Sequence, residues 1–274
     1  MRTVSAMKLS PAQLQAFQVE GYLVLPHFFT DREVTAMRAE LERFKREGLL
    51  RNVATDGDGK THSRTKQNLQ ICPLTPKSEF YRALPFCPKM VEVVRQLIGD
   101  PVVHHLDQIF LKPGRSGAGT GWHQDNAYFQ IADPTKGTGM WVALHDAHVA
   151  NGTMHVLPRA FAKPLHHERD GGSDHHIRCV VDETQAVPIE MKAGGALFFN
   201  YGVPHCTKAN TTDQERAGLA LHFVRQDFLR PDDKHGRPNS QKPILTGPAA
   251  TGGAREFGVQ VAGTWDAQVN RLAP

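Results

Sequence analysis

A chain of 274 residues can bury one substantial core, and barrel folds of this size commonly form a single unit. Charged residues make up 22 % and hydrophobic residues 40 %, and the net charge of +4 contains no Lys/Arg run dense enough for a nucleic-acid track. Cys72, Cys87, Cys179 and Cys206 form no CxxC pair, which excludes a zinc ribbon or a disulfide framework and suits a reducing compartment.

The opening MRTVSAMKLS has no apolar leader core, and no segment approaches the length of a membrane span, so a cytoplasmic protein without membrane contact is expected. Ser10, Pro11 and Gln13 spell a capping box for a first helix that points Leu14 and Phe17 inward. Gly21 breaks it, and Tyr22 to Leu25 read as a strand. Thr30 and Glu33 repeat the box ahead of Val34, Met37, Leu41 and Phe44, with Gly48 ending that helix. Residues 51–68 are polar and glycine-bearing, a loop that substrate could order, and a third helix is expected from Pro88 to Leu97.

From Val102 the pattern changes to short apolar runs at 102–112, 139–148, 153–157, 187–191, 196–200 and 217–224, separated by turn residues. The reading is mainly β with flanking α-helices: a jelly roll or sandwich with helices on one face. The expected organisation is one domain over 1–274, with a helical part at about 10–100 and a β core at about 101–226. A polar insertion at about 160–182 is too long for an ordinary hairpin and reads as a lid, and the tail from about 227 to 274 is expected to wrap the surface.

GWHQDNAYF at 121–129 carries the sharpest local signal. On a strand, positions i and i+2 share a face, so His123 and Asp125 would present an imidazole and a carboxylate together, with Gln124 turned away. His205, after GGALFFNYGVPH, is the best second imidazole. Two histidines and one carboxylate on one face of a metal leave positions open for an organic co-substrate and dioxygen. Arg216 begins the next apolar run, and its planar fork suits the distal carboxylate of 2-oxoglutarate.

HQD at 123–125, His205 and Arg216 resemble, in order and spacing, the phytanoyl-CoA dioxygenase family of iron(II)/2-oxoglutarate oxygenases. The similarity extends through GYLVLPHFFTDREV, LDQIFLKPG (106–114), MWVALHDAHVANGTMHVLP (140–158) and GGALFFNYGVPH. The resemblance implies a double-stranded β-helix, a cupin-like barrel, with His123, Asp125 and His205 as catalytic metal ligands. It implies that Arg216, Thr207, Gln108 and Trp141 bind 2-oxoglutarate, and that Asn151 and Gly152 form a structural turn. It further implies iron(II), 2-oxoglutarate and dioxygen as cofactor and co-substrates. Asp125 stands where halogenating relatives have a small residue, which points to hydroxylation.

The expected partner is a small-molecule substrate. Asn126, Tyr128 and Phe129, His62 and Arg64 of the loop, and Arg159, His166, His175, His176 and Arg178 of the lid are candidates around it. Imidazole and guanidinium groups together suit a carboxylate, phosphonate or phosphate. Two rival readings stay open at this point: a metal enzyme independent of 2-oxoglutarate, and a non-catalytic barrel-shaped binding module.

Overall fold

The computed structural model describes residues 7–254 and 261–273; residues 1–6, read above for a leader, lie outside them. Both capping boxes form. Ser10 Oγ accepts from the Gln13 amide at 3.2 Å while Gln13 Oε1 accepts from the Ser10 amide at 2.8 Å, starting α1 (Pro11–Glu20). Gly21, at φ 86°, ends α1 in the left-handed region and delivers the chain to β1 (Tyr22–Leu25). Thr30 and Glu33 start α2 (Asp31–Arg46) in the same way. The four apolar residues read from its periodicity are all buried.

Next come β2 (Arg51–Asn52), β3 (Leu69–Ile71), a short α3 (Glu79–Ala83) that the sequence did not announce, and α4 (Pro88–Ile98). The β-rich part holds β4 (Val102–Lys112), β5 (Thr120–His123), a one-turn α5 (Asn126–Phe129), β6 (Gly137–Ala143) and β7 (Met154–Val156). It continues with β8 (His167–Arg169), β9 (Ile177–Cys179), β10 (Val187–Pro188), β11 (Ala196–Asn200), β12 (His205–Thr207) and β13 (Arg216–Arg225).

Among the described residues these strands form a seven-stranded sheet in the order β1-β11-β6-β13-β4-β3-β2 and a four-stranded sheet in the order β10-β7-β12-β5. A separate β8–β9 hairpin accompanies them. The chain switches between two antiparallel sheets, the jelly roll of a double-stranded β-helix. Alternation along β13 shows how the large sheet serves two layers. Leu219 and Leu221 join Met37, Phe44 and Val93 in the core beneath the helices. Ala220, one residue out of step, joins Trp141, Met154, Val156 and Phe199 between the sheets. Each large apolar side chain so buried contributes about 1.5–3 kcal/mol.

Most of the tail between 230 and 254 is exposed or half-buried, but it is anchored by buried Asp233, Arg237 and Lys242, and beyond it α6 (Trp265–Leu272) packs on α2 and α3. Proline and glycine composition marked a lack of regular structure there, but ion pairs and one tryptophan anchor the segment. Among the described residues no helix is long and apolar enough to cross a membrane.

Candidate metal centre

His123 ends β5, and His205 starts β12 directly opposite it in the four-stranded sheet. Their ring centroids are 4.2 Å apart. In each ring Nδ1 meets a carbonyl two residues back, Gly121 O at 2.8 Å and Val203 O at 3.0 Å. The backbone thereby fixes Nδ1 as the protonated nitrogen and leaves the Nε2 lone pair free. Those nitrogens lie 3.8 and 3.7 Å from one Asp125 oxygen, Oδ1. One ligand atom from each of the three residues falls within 4.8 Å of the others.

The route by which Asp125 arrives corrects the sequence reading. β5 stops at His123, and Asp125 has helical backbone angles (φ −57°, ψ −33°) at the head of α5. Its carbonyl accepts from the amides of Tyr128 and Phe129, so a turn, not strand alternation, swings the carboxylate beside the imidazoles. Gln124 does face away: its amide nitrogen donates to Lys163 O and Gly202 O, and its oxygen accepts from the Leu165 amide.

Electrostatics suit a cation. Burial lowers His123 to about 3, helped by His205 beside it, and burial lowers His205 as well, so both rings are neutral at physiological pH, the form that can coordinate a metal. Burial alone would raise the Asp125 carboxyl, but the imidazoles of His222 and His205 hold it well below the usual carboxylate range. Asp125 Oδ2 is buried; His222 Nε2 approaches it at 3.2 Å, off the line of a good hydrogen bond. The donor set and this under-used oxygen fit a divalent metal.

Arg216, at the start of β13, is fully buried. It donates through Nη2 to Gly152 O, and its guanidinium sits 5.5 Å from the Trp141 ring centroid. Nε and Nη1 have no partner among the described residues. Burial lowers the guanidinium to about 9, which leaves it charged at neutral pH. Thr207 Oγ1 accepts from the Thr120 amide, so its own hydroxyl hydrogen is available. Gln108 Oε1 accepts from Gln70, which frees the Gln108 amide nitrogen to donate. The groups are donors awaiting an anion.

One cavity of about 360 Å³ joins the two ends. His123, Asp125, His205, Arg216, Thr207, Gln108 and Trp141 all line it. Leu106, Phe110, Phe129, Met140, Met154 and Phe199 supply an apolar wall. Of the candidate substrate contacts, Tyr128, Phe129, His175 and His176 line it, and the Tyr128 hydroxyl also accepts from the Ile177 amide at 2.9 Å.

His62, Arg64 and His166 do not line the cavity, and Asn126, Arg159 and Arg178 are engaged elsewhere. Asn126 spends its side chain closing the turn after α5, on the backbone of Ile131 at 3.1 and 3.0 Å. Arg159 forks onto Glu20 with its side chain 70 % exposed. Arg178 pairs with Glu168 on the outer face of the β8–β9 hairpin at 2.9 Å. A neighbouring carboxylate took each arginine, something composition could not reveal.

The two segments read separately as a substrate-ordered loop and a lid are knitted together. Thr55 and Gly59 donate to Gly172 O and Gly171 O, Asp174 donates to Val53 O, and Arg51 and His175 converge on the Asp174 carboxylate. Arg51 and His175 also line the cavity mouth, as does His235 from the tail. None of Arg51, His222 and His235 was named from sequence. His222 was legible in principle, because it lies six residues beyond Arg216 on one strand and therefore on the same face.

Comparison with known proteins identifies the family and the fold. The phytanoyl-CoA dioxygenase (PhyH) profile matches residues 17–218. An ectoine dioxygenase of Bordetella parapertussis is 24 % identical over 259 residues, covering 87 % of this chain and 82 % of the relative. The 2-oxoglutarate-dependent carbocyclase SnoK of nogalamycin biosynthesis superposes with a TM-score of 0.69 at 20 % identity, over 87 % of this chain and 97 % of that one. EctD from S. alaskensis, solved with 2-oxoglutarate and 5-hydroxyectoine, gives 0.66 at 21 % identity, over 97 % and 91 %. At such identities the two structures speak for the fold.

Proposed function

The chain belongs to the phytanoyl-CoA dioxygenase family, and from that premise we propose that His123, Asp125 and His205 hold the iron, that Arg216 holds the distal carboxylate of 2-oxoglutarate, and that the substrate is a small molecule bearing an anionic group. The protein is a 2-oxoglutarate-dependent oxygenase that works with iron(II), 2-oxoglutarate and dioxygen. The single observation that carries the site assignment is that Arg216 keeps Nε and Nη1 buried and unpartnered in the cavity that the three ligand atoms face.

When bound, the iron and 2-oxoglutarate supply dioxygen activation coupled to decarboxylation of the 2-oxo acid to succinate, the usual source of the oxidising equivalent in this chemistry. The chain's own contribution is position and exclusion. The backbone-anchored rings of His123 and His205 and the turn at Asp125 bring three ligand atoms together at the cavity, where they would hold the metal. Arg216 offers N–H donors at Nε and Nη1, Thr207 a hydroxyl and Gln108 an amide, so a carboxylate would meet donors only. Trp141 and Phe199 close the wall behind and keep water from the reacting end. A metal enzyme independent of 2-oxoglutarate would have no use for an arginine buried in this way.

Size and charge support the substrate reading. A cavity of about 360 Å³ must hold 2-oxoglutarate as well, which leaves room at its inner end for a compact molecule or group. Arg51 and His175 line the cavity beside Tyr128 and His176 while paired with Asp174, and a carboxylate, phosphonate or phosphate entering there would share that Arg51–His175 pair with Asp174. Hydroxylation is the outcome we assign. The test is anaerobic addition of iron(II) and 2-oxoglutarate, expected to give a weak visible charge-transfer band that Asp125→Ala abolishes. A succinate-release screen over small carboxylates, phosphonates, phosphates and acyl-CoAs then identifies the substrate class. Absence of both band and succinate would overturn the assignment; a response to acyl-CoAs alone would overturn the small-anion reading.

A further inference from the structure

Lys112 is a second basic group buried behind the proposed co-substrate subsite, and no established role accounts for it. It lies directly opposite Arg216 in the β4–β13 ladder, so the two side chains leave the same face of the sheet. Both are fully buried. Lys112 Nζ donates to two backbone carbonyls, those of Ala118 and, at 2.9 Å, Lys208. The first carbonyl precedes β5 with His123, and the second follows β12 with His205 and Thr207. Lys112 therefore braces the ends of both ligand-bearing strands.

The charge is the unusual part. Among the described residues, no carboxylate forms a hydrogen bond or ion pair with Lys112 or Arg216. The ionisable groups around Lys112 are Arg216 across the ladder, Cys206 from β12, His176 from the hairpin, and Lys208, whose ammonium turns outward to Glu183 at 2.7 Å. Burial pushes the Cys206 thiol up to about 12 and holds His176 well below its ordinary value, so neither is an anion near neutrality. Two buried cations without a counter-ion are strongly disfavoured, and a guanidinium yields its proton far less readily than an ammonium. Burial and Arg216 both push Lys112 well below the usual lysine range. The hydrogen bonds agree: two carbonyls match the two N–H groups of a neutral amine and leave the third N–H of an ammonium without a partner.

We propose that Lys112 is a positioning residue of the co-substrate site whose charge is balanced by bound 2-oxoglutarate, so that a proton passes from solvent to Nζ as the dianion enters. The proposal rests on the reading of Arg216 given above. The proton comes from water or buffer, and no covalent bond is made or broken in the co-substrate.

Calorimetric titration of the iron(II)-loaded, anaerobic full-length protein with 2-oxoglutarate, at about pH 8 in buffers of different ionisation enthalpy, tests it directly. The expected result is uptake approaching about one proton per 2-oxoglutarate. In Lys112→Gln, which keeps an N–H donor and removes the titration, the uptake disappears and binding weakens about tenfold. Heats that do not depend on the buffer, or an uptake that persists in Lys112→Gln, overturn the proposal. If that variant fails to fold, the wild-type affinity decides: it should fall as pH rises, by up to about tenfold per unit, and a flat profile overturns the assignment. A complete absence of 2-oxoglutarate binding would instead sink the Arg216 reading, and is told apart by the missing charge-transfer band.

Discussion

His123 and His205 are register partners on adjacent strands, and each is oriented by a carbonyl two residues earlier in its own chain segment. Because the two Nε2 atoms lie almost equally far from Asp125 Oδ1, any one of the three can be removed without disturbing how the others are anchored. His205→Gln and Asp125→Ala should therefore fold normally and lose iron affinity by more than about 100-fold, beyond what loss of a mere supporting contact produces. Iron stoichiometry after gel filtration, alongside circular dichroism, measures this. Stoichiometric iron in both variants would refute the ligand assignment.

Arg216 makes a sharper prediction, since its fork matters as well as its charge. Arg216→Lys keeps the charge but not the planar array of N–H groups, and Arg216→Gln loses both. Charge-assisted hydrogen bonds contribute about 1.5–3 kcal/mol each, so two lost bonds correspond to a weakening of 2-oxoglutarate binding by at least about 100-fold in Arg216→Gln. Arg216→Lys should fall between that variant and the wild type. Titration of the anaerobic charge-transfer band gives the affinities, and equal values for all three proteins would remove Arg216 from the subsite.

How much of this was legible in the sequence depended on whether the signal was local. Ser10/Gln13 and Thr30/Glu33 are self-contained instructions, and both helices begin where those pairs place them. The apolar runs became β4, β11 and β13 with boundaries close to those read, whereas the three-residue β12 carries too little apolar pattern to see. Arg216, Thr207, Gln108 and Trp141 converge on one cavity although they come from four strands, an arrangement that a family pattern conveys and periodicity does not. What stayed hidden were pairings between distant polar residues: Arg159 with Glu20, Asp174 with Arg51, and Asp233 with His105 and Lys242. Charge composition says that such groups exist, never which will meet.

Those pairings change which lid residues should matter. Arg159 and Arg178 are held by surface carboxylates outside the cavity, and exposed pairs of that kind contribute only about 0.2–1 kcal/mol. Arg159→Ala and Arg178→Ala should leave the substrate KM close to wild type. His176→Ala, at a buried position lining the cavity, should raise KM while iron and 2-oxoglutarate still give their band. Steady-state kinetics on the substrate found by the succinate screen decide it; a large KM effect at Arg178 with none at His176 would reverse the assignment.

Asp174 joins the loop after β2 to the β8–β9 hairpin, drawing in Arg51, His62 and His175. Asp174→Asn should release this clamp at modest cost in global stability, under about 1 kcal/mol, because Arg51 and His62 are largely solvent-exposed. Local opening should rise more than global unfolding, so protease cleavage within residues 53–63 should accelerate while the denaturation midpoint barely moves. Unchanged cleavage would mean that the backbone pairing of Thr55 and Gly59 with the hairpin holds the mouth without the carboxylate.

Glu33 links the capping box of α2 to the tail. Its carboxylate accepts from Thr30 N at 2.8 Å, Lys89 Nζ at 2.6 Å and Trp265 Nε1 at 2.6 Å, while the Trp265 ring packs 4.8 Å from Phe80. Burial would raise its pKa, but the hydrogen bonds from Lys89 and Trp265 outweigh burial and lower it. With the folded value below the unfolded one, Glu33 stabilises the fold fully above the ordinary glutamate range, and that contribution is lost as pH falls through the folded value. Glu33→Gln should cost about 1–3 kcal/mol at neutral pH, because Lys89 is left without its carboxylate, and should release α6. Urea unfolding followed by tryptophan fluorescence should show the difference between wild type and variant shrinking below about pH 4. A difference that stays constant down to acid unfolding would show that packing of Trp265, not the Glu33 charge, holds the tail in place.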